Sequence, residues 1–179
     1  MNNIELYELE KKSNKNCAAT PPQVVKDIYK IIHIENYKSI WLPFDNYDSA
    51  FKLIAEEMKL KYKATHKYDA DGNDFFITDP PPNCDLMISN PPFDIQNGII
   101  ERSFYLIDKG WIKSFALLLP LSTLETPKRA NMYEKYVDKL SVIIFKKRIK
   151  FLGCEGSFNT ACCWVCYNID AIKNKLNWL

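Results

Sequence analysis

The chain has 179 residues, 47% of them hydrophobic, which suits one domain around a single sizeable core. Its 24 basic and 22 acidic residues leave a formal charge of +2, so bulk electrostatics does not announce a nucleic-acid binder, and any such contact must come from a local patch. There is no signal-peptide pattern and no long uncharged apolar stretch, which argues against a helical membrane protein and predicts a cytoplasmic one whose six cysteines are reduced thiols.

Residues 1–19 are polar, charged and weakly periodic, a segment expected to fray from or cap one domain covering 20–179. TPPQVVKDIYKII, from Thr20, sets Val24, Val25, Ile28, Ile31 and Ile32 at helical spacing behind a Thr-Pro start, which predicts a capped helix. SIWLPF reads as a strand ended by Pro43, and NYDSAFKLIAEEMKLKY as a second helix with Asn46, Asp48 or Ser49 as its cap. YKATHKY is a weak strand, DADGN a turn, and DFFIT a short apolar piece before the loop DPPPN.

CDLMIS is a continuous apolar run of the kind buried on both faces of a parallel sheet. IQNGIIERSFYLID returns to helical spacing, SFALLLP is a second apolar strand ending at Pro120, and a helix follows around Lys128 to Tyr136. SVIIFKKRIKF and ACCWVCYNI alternate like antiparallel edge strands. The resulting order, β-α-β-β-α-β-α-β-β after a leading helix, predicts an α/β fold with a mostly parallel central sheet and an antiparallel C-terminal hairpin. Sites in such folds lie beyond the carboxyl ends of the strands.

Cys163 and Cys166 make a C-x-x-C, but positions three apart in a strand face opposite ways, and neither His33 nor His66 lies near a cysteine pair. Core packing is expected there and no metal site is predicted. KKRIK, Lys146 to Lys150, packs four cations into five positions; it reads equally as a local anion-binding patch or as a solvated strand end.

The stretch SNPPFD, Ser89 to Asp94, lies at a strand exit. Proline fixes its own φ and lacks an N–H, so Asn90-Pro91-Pro92 forms a rigid corner that cannot continue a ladder. The amino group of a nucleobase is a poor nucleophile because its lone pair is delocalised. The Asn90 amide oxygen and the Pro91 carbonyl could each accept one of its N–H groups and favour the pyramidal form that a transition state needs. Phe93 could hold the base by stacking. A strand terminator with a core phenylalanine is the plainer reading of the same residues.

With those residues in place, the chain resembles the class I S-adenosylmethionine-dependent N6-adenine DNA methyltransferases, whose signature is Asp, Asn or Ser followed by Pro-Pro and an aromatic. The small versions common in bacteriophages are the most similar. The likeness runs from about Thr20 to Ile169: TPPQVV resembles the helix start before the cofactor strand, IWLPFDNYDSAF the first strand and turn, NDFF the acid-aromatic pair near the cofactor adenine. FALLLP resembles the strand after the corner, and KKRIKFLGCEGSFNTACCW the closing segment and hairpin.

The resemblance implies a single Rossmann-like methyltransferase domain that binds S-adenosylmethionine and acts on DNA. Asn90, Pro91, Pro92 and Phe93 would hold the target base. Asp74 and Phe75 would meet the cofactor adenine, Thr20 and Asp45 would lie near its methionine end, and Pro43, Phe44 and Ser49 would also bind the cofactor. Arg148 and Lys150 would receive backbone phosphates displaced by base flipping, and Phe151 or Phe158 would supply a second wall for the base or serve the core. Lys128, Arg129 and Asn131, in the loop at 121–131, suit further backbone contact.

Two features depart from the family pattern. No glycine follows the first strand, the first in the chain being Gly72, and between YKATHKY and NDFF only a turn fits where the family has an acidic strand end and a helix. Asp69 or Asp71 could serve the cofactor ribose or be ordinary turn acids. Two alternatives therefore stand beside a DNA methyltransferase: a catalytically inactive binding module on the same scaffold, such as a phage counter-defence protein, and a methyltransferase acting on RNA or a protein glutamine.

Overall fold

A computed structural model describes residues 4, 19–45, 49–66, 74–153 and 160–179, and in it the apolar runs align as one seven-stranded sheet. Asn46, Asp48, Asp69, Asp71, Gly72, Phe158 and nearly all of the 1–19 segment lie outside the described residues. The elements in chain order are α1 (Pro22–Ile32), β1 (Ile40–Leu42), α2 (Ala50–Glu57), β2 (Tyr62–Ala64), β3 (Cys84–Ser89), α3 (Gln96–Asp108), β4 (Ile112–Pro120), α4 (Pro127–Glu134), β5 (Leu140–Ile144), β6 (Cys162–Tyr167) and β7 (Leu176–Trp178).

The strands lie in the order β2-β1-β3-β4-β6-β5-β7. All pairings are parallel except those of β6, which runs antiparallel to both β4 and β5. The fold is thus the mixed, mostly parallel α/β architecture that the strand and helix pattern predicts. Because β5 runs parallel to β4, the carboxyl ends of β1, β3, β4 and β5 all open on one edge.

Strand alternation divides the core in two. Ile40, Leu42, Leu86, Ile88, Ala116, Leu118, Trp164 and Cys166 face α1 and α2. Trp41, Met87, Phe115, Leu117, Leu119, Cys163 and Val165 face α3 and α4 on the other side. Cys163 and Cys166 therefore point into different layers, each as a small core residue, and burial pushes the Cys163 thiol up to about 12. At the amino edge Asp85 accepts hydrogen bonds from the Lys38 and Ser39 amides and from Lys113, tying β1, β3 and β4 together.

Four sequence expectations change in detail. Helix α1 has Pro21, in extended conformation, at its N-cap rather than Thr20, whose hydroxyl accepts from Asn90 Nδ2. Of the three caps proposed for α2, Ser49 is the one observed, its oxygen accepting from the Lys52 amide at 3.1 Å. Strand β5 stops at Ile144 rather than running to Phe151, since beyond it Ile149 and Phe151 turn into the core while the intervening cations face solvent. Strand β6 is no edge strand: it is flanked on both sides and buried throughout, and the edge is taken by β7, which lies parallel to β5.

The two buried indoles differ in one respect. Trp41 Nε1 donates to Thr65 Oγ1 at 2.9 Å, whereas Trp164 Nε1 has no acceptor among the described residues. Both substitutions to phenylalanine remove similar volume, but Trp41→Phe also strands a buried hydroxyl while Trp164→Phe deletes an unsatisfied donor. Urea unfolding should find Trp41→Phe less stable than Trp164→Phe by about 1–2 kcal/mol.

Candidate active site

The chain leaves β1, goes outward to β2, and returns on the other side of β1 as β3, so the topological switch point lies between the carboxyl ends of β1 and β3. Two polar residues meet there. Ser89, the last residue of β3 and fully buried, donates its hydroxyl proton to Asp45 Oδ2 at 2.5 Å. Asp45 follows β1, is held in place by its own amide bonding to the Thr65 carbonyl, and is only 5% exposed. Burial pushes its carboxyl from 3.8 up to about 6, against the hydrogen bonds from Ser89 and Ser49, which pull it down.

One residue on, the corner begins. Asn90 Nδ2 donates to Thr20 Oγ1 at 2.9 Å, which fixes the plane of the amide. The other side of that amide, Oδ1, is buried and meets no donor among the described residues, a state it shares with Gln96 Oε1, Arg102 Nε and Trp164 Nε1. Buried acceptors are nearly always satisfied, so this oxygen is open to a donor from an ordered water or a ligand. Pro91 is buried, Pro92 is exposed, and the half-buried Phe93 ring meets Phe151 edge-on at 6.3 Å. Phe151 belongs to the core, and the Ala19–Leu152 bridge ties its segment to the strand of chain that carries Thr20.

Around the switch point Pro43 is buried and Phe44 is half-buried, its ring meeting that of Phe75 at a 45° tilt with centroids 4.8 Å apart. Phe75, expected to face a cofactor adenine, is only 2% exposed: Trp41, Phe44 and Phe76 enclose it, and the Arg102 guanidinium lies 5.6 Å from its ring centre. The ring that reaches solvent here is Phe76, 39% exposed and seated over Gly98 of α3, where a Cβ would come within 3.1 Å of it. Asp74 organises the turn, its carboxylate accepting from the Phe76 amide at 2.8 Å.

The four cations named from sequence separate into two groups. Arg129 does not reach out to a phosphate backbone: it is 9% exposed, and its guanidinium donates to the carbonyls of Ser122, Thr123 and Glu125 and to Asn97 Oδ1. It instead clamps the 121–126 loop to the first turn of α3. Lys128 is exposed but paired with Glu101 at 2.6 Å. Arg148 and Lys150 are exposed on the segment beyond β5, along the same edge as the corner. Sequence reasoning overlooked Ser89, though a serine closing an apolar strand was a visible signal, and it overlooked Phe76 in favour of its neighbour.

No family model matches the chain, and no curated protein does. Solved structures do. A structure from Listeria monocytogenes described as a class I S-adenosylmethionine-dependent methyltransferase aligns with a TM-score of 0.55 at 14% identity, covering 90% of this chain and 65% of that one. The human methyltransferase 10 domain containing protein aligns with a TM-score of 0.56 at 15% identity, covering 86% of this chain and 84% of that one. The chain thus spans slightly less than two thirds of the Listeria protein, and what the two likenesses establish is the fold, that of Rossmann-like class I methyltransferases.

Asp45 also sets a pH dependence. Its pKa is raised in the folded state, so its contribution to stability is fully present below 3.8 and is lost as pH rises through about 6. The displacement corresponds to a ceiling of ~3 kcal/mol against the ionised form. Urea midpoints measured from pH 4 to pH 7 should show Asp45→Asn gaining on the parent as pH rises through that window, with no further gain above it.

Proposed function

We propose that this protein transfers a methyl group from S-adenosylmethionine to the N6 amino group of adenine in DNA. The observation that carries the reading is the buried Oδ1 of Asn90, which has no donor among the described residues and is held at the switch-point edge of a methyltransferase fold by the Thr20 hydrogen bond. An adenine amino group offers the donor this oxygen lacks, and the Pro91 carbonyl is the second acceptor of the pair. The prolines preset both positions, so little ordering is left for the reaction itself.

The residues present suit the proposed cofactor. Asp45 is a buried carboxylate without a cationic partner among the described residues, matched to the ammonium of a methionine moiety. Pro43, Phe44 and Ser49 lie close to it in the chain, and Asp74 with the exposed Phe76 ring, backed by the enclosed Phe75, supplies an acid and an aromatic surface for an adenine. When bound, the cofactor supplies an electrophilic methyl group on a sulfonium.

The chain's own residues do the rest. Thr20 orients the Asn90 amide so that Oδ1 and not Nδ2 faces the acceptor base. Accepting a hydrogen bond from each amino N–H localises the nitrogen lone pair, which makes the amine nucleophilic, and the methylated nitrogen then loses its surplus proton past these oxygens to solvent. Phe93 holds the base by stacking, worth about 1–3 kcal/mol, which offsets the few kcal/mol that unstacking the base from its neighbours costs. Arg148 and Lys150 receive phosphates beside it.

Incubation with labelled S-adenosylmethionine and DNA should place label in adenine. Asn90→Ala should lower turnover by about 10²–10³ while leaving cofactor affinity, read by calorimetry, unchanged. Thr20→Val should give a smaller loss of the same kind, because it frees the amide without removing the acceptor. Absence of label from DNA with label in RNA or protein would move the acceptor, and cofactor binding without any transfer would mark the scaffold as a binding module.

A further inference from the structure

Beyond β5 the chain runs Phe145-Lys146-Lys147-Arg148-Ile149-Lys150 along the edge that carries the corner, and it borders an open hollow of about 480 Å³ facing α1. The volume falls in the range of ligand sites, ≈ 300–1,000 Å³. Its floor is apolar: Ile149 is buried, and Val24 and Phe145 are half-buried. Its rim is cationic, with Lys146, Lys147 and Lys150 all exposed and none in an ion pair among the described residues.

The charge is concentrated rather than spread. Four basic side chains and one acidic side chain, Asp27, line the hollow. Asp27 is itself engaged by Gln23 at 2.7 Å. The segment is also held in place. Its start is pinned by the Lys146 amide bonding to the Leu179 carbonyl at 2.8 Å, and its end by the paired hydrogen bonds between Ala19 and Leu152. A rim fixed before binding loses little entropy when a ligand arrives.

The hollow shares a wall with the corner. Pro21 lines it, and the adjacent Thr20 holds Asn90; Ile149 lines it, and Phe151 two residues on touches Phe93. We infer that the hollow binds the nucleotides flanking the target as a single strand, with phosphates on Lys146, Lys147 and Lys150 and unstacked bases on the floor of Phe145, Val24 and Ile149. A duplex satisfies only half of this lining. It brings phosphates to the rim but keeps its bases stacked inside, which leaves the apolar floor uncovered, whereas a single strand places charge and planar apolar surface on the same side.

The inference rests on assigning the corner to a nucleobase, and its test needs no methyl transfer. Fluorescence anisotropy would compare one twelve-nucleotide sequence as single-stranded DNA, single-stranded RNA and duplex DNA, with the protein free of cofactor. A single strand of either kind should bind at least ten-fold more tightly than the duplex, the tighter of the two showing which polynucleotide the site prefers. Counterion release gives a salt slope of about 0.7 per phosphate contact, so the exposed triple variant Lys146→Gln, Lys147→Gln, Lys150→Gln should flatten the slope by about 2. Phe145→Ala, if it keeps the parent melting temperature, should weaken strand binding with the slope unchanged. Equal or tighter duplex binding, or a triple variant with parental affinity and slope, would overturn the inference. Strand binding that depends on the lysines without methyl transfer would overturn the enzymatic reading alone, and methylation with duplex preference would overturn this one alone.

Discussion

The hydrogen bond from the Asn90 amide to the Thr20 hydroxyl joins positions 70 residues apart and decides what the strand exit can do. An asparagine side chain is a donor on one side and an acceptor on the other, and only an external partner settles which side faces where. With Nδ2 committed to Thr20, Oδ1 is left as a fixed, desolvated acceptor. In a low-dielectric surrounding such a group is costly alone and strong once paired, which is the property a site for an amino group needs. The rest of the architecture serves to bring these two segments to one edge.

That edge exists because six strands run the same way. Continuous apolar runs in β3 and β4 demand cover on both faces, and the helices provide it: α1 and α2 on one side, α3 and α4 on the other. Once both faces are sealed, polar chemistry is confined to the strand ends. At the amino edge this is structural, with Asp85 satisfied by two amides and a lysine that holds its carboxyl below the ordinary range. At the carboxyl edge it is not so complete, since Asp45 is buried at the cost of a raised pKa and Asn90 Oδ1 meets no donor among the described residues.

The cationic residues make the same distinction between structure and site. Arg129 and Arg148 are equally plausible phosphate contacts on paper. Burial converts the first into a clamp on carbonyl oxygens, holding the loop after β4 against α3, and leaves the second on an exposed rim. A guanidinium offers five donors in a planar fork, and three carbonyls with one amide oxygen match that fork as well as a phosphate would.

Much of this was written in local pattern. Apolar periodicity placed the strands and helices, the two prolines marked the corner, and period-two alternation put Cys163 and Cys166 on opposite faces of one strand. These features depend on residues within a few positions of one another, and a linear sequence carries such information directly. Tertiary structure alone decided that β6 lies inside the sheet, that Leu176–Trp178 forms its edge, that Phe75 is enclosed while Phe76 is not, and that Thr20 binds Asn90 rather than capping its own helix. Each of those outcomes is a choice between partners equally compatible with the local chain, and it is settled by which distant segment arrives to bury a surface or take a hydrogen bond.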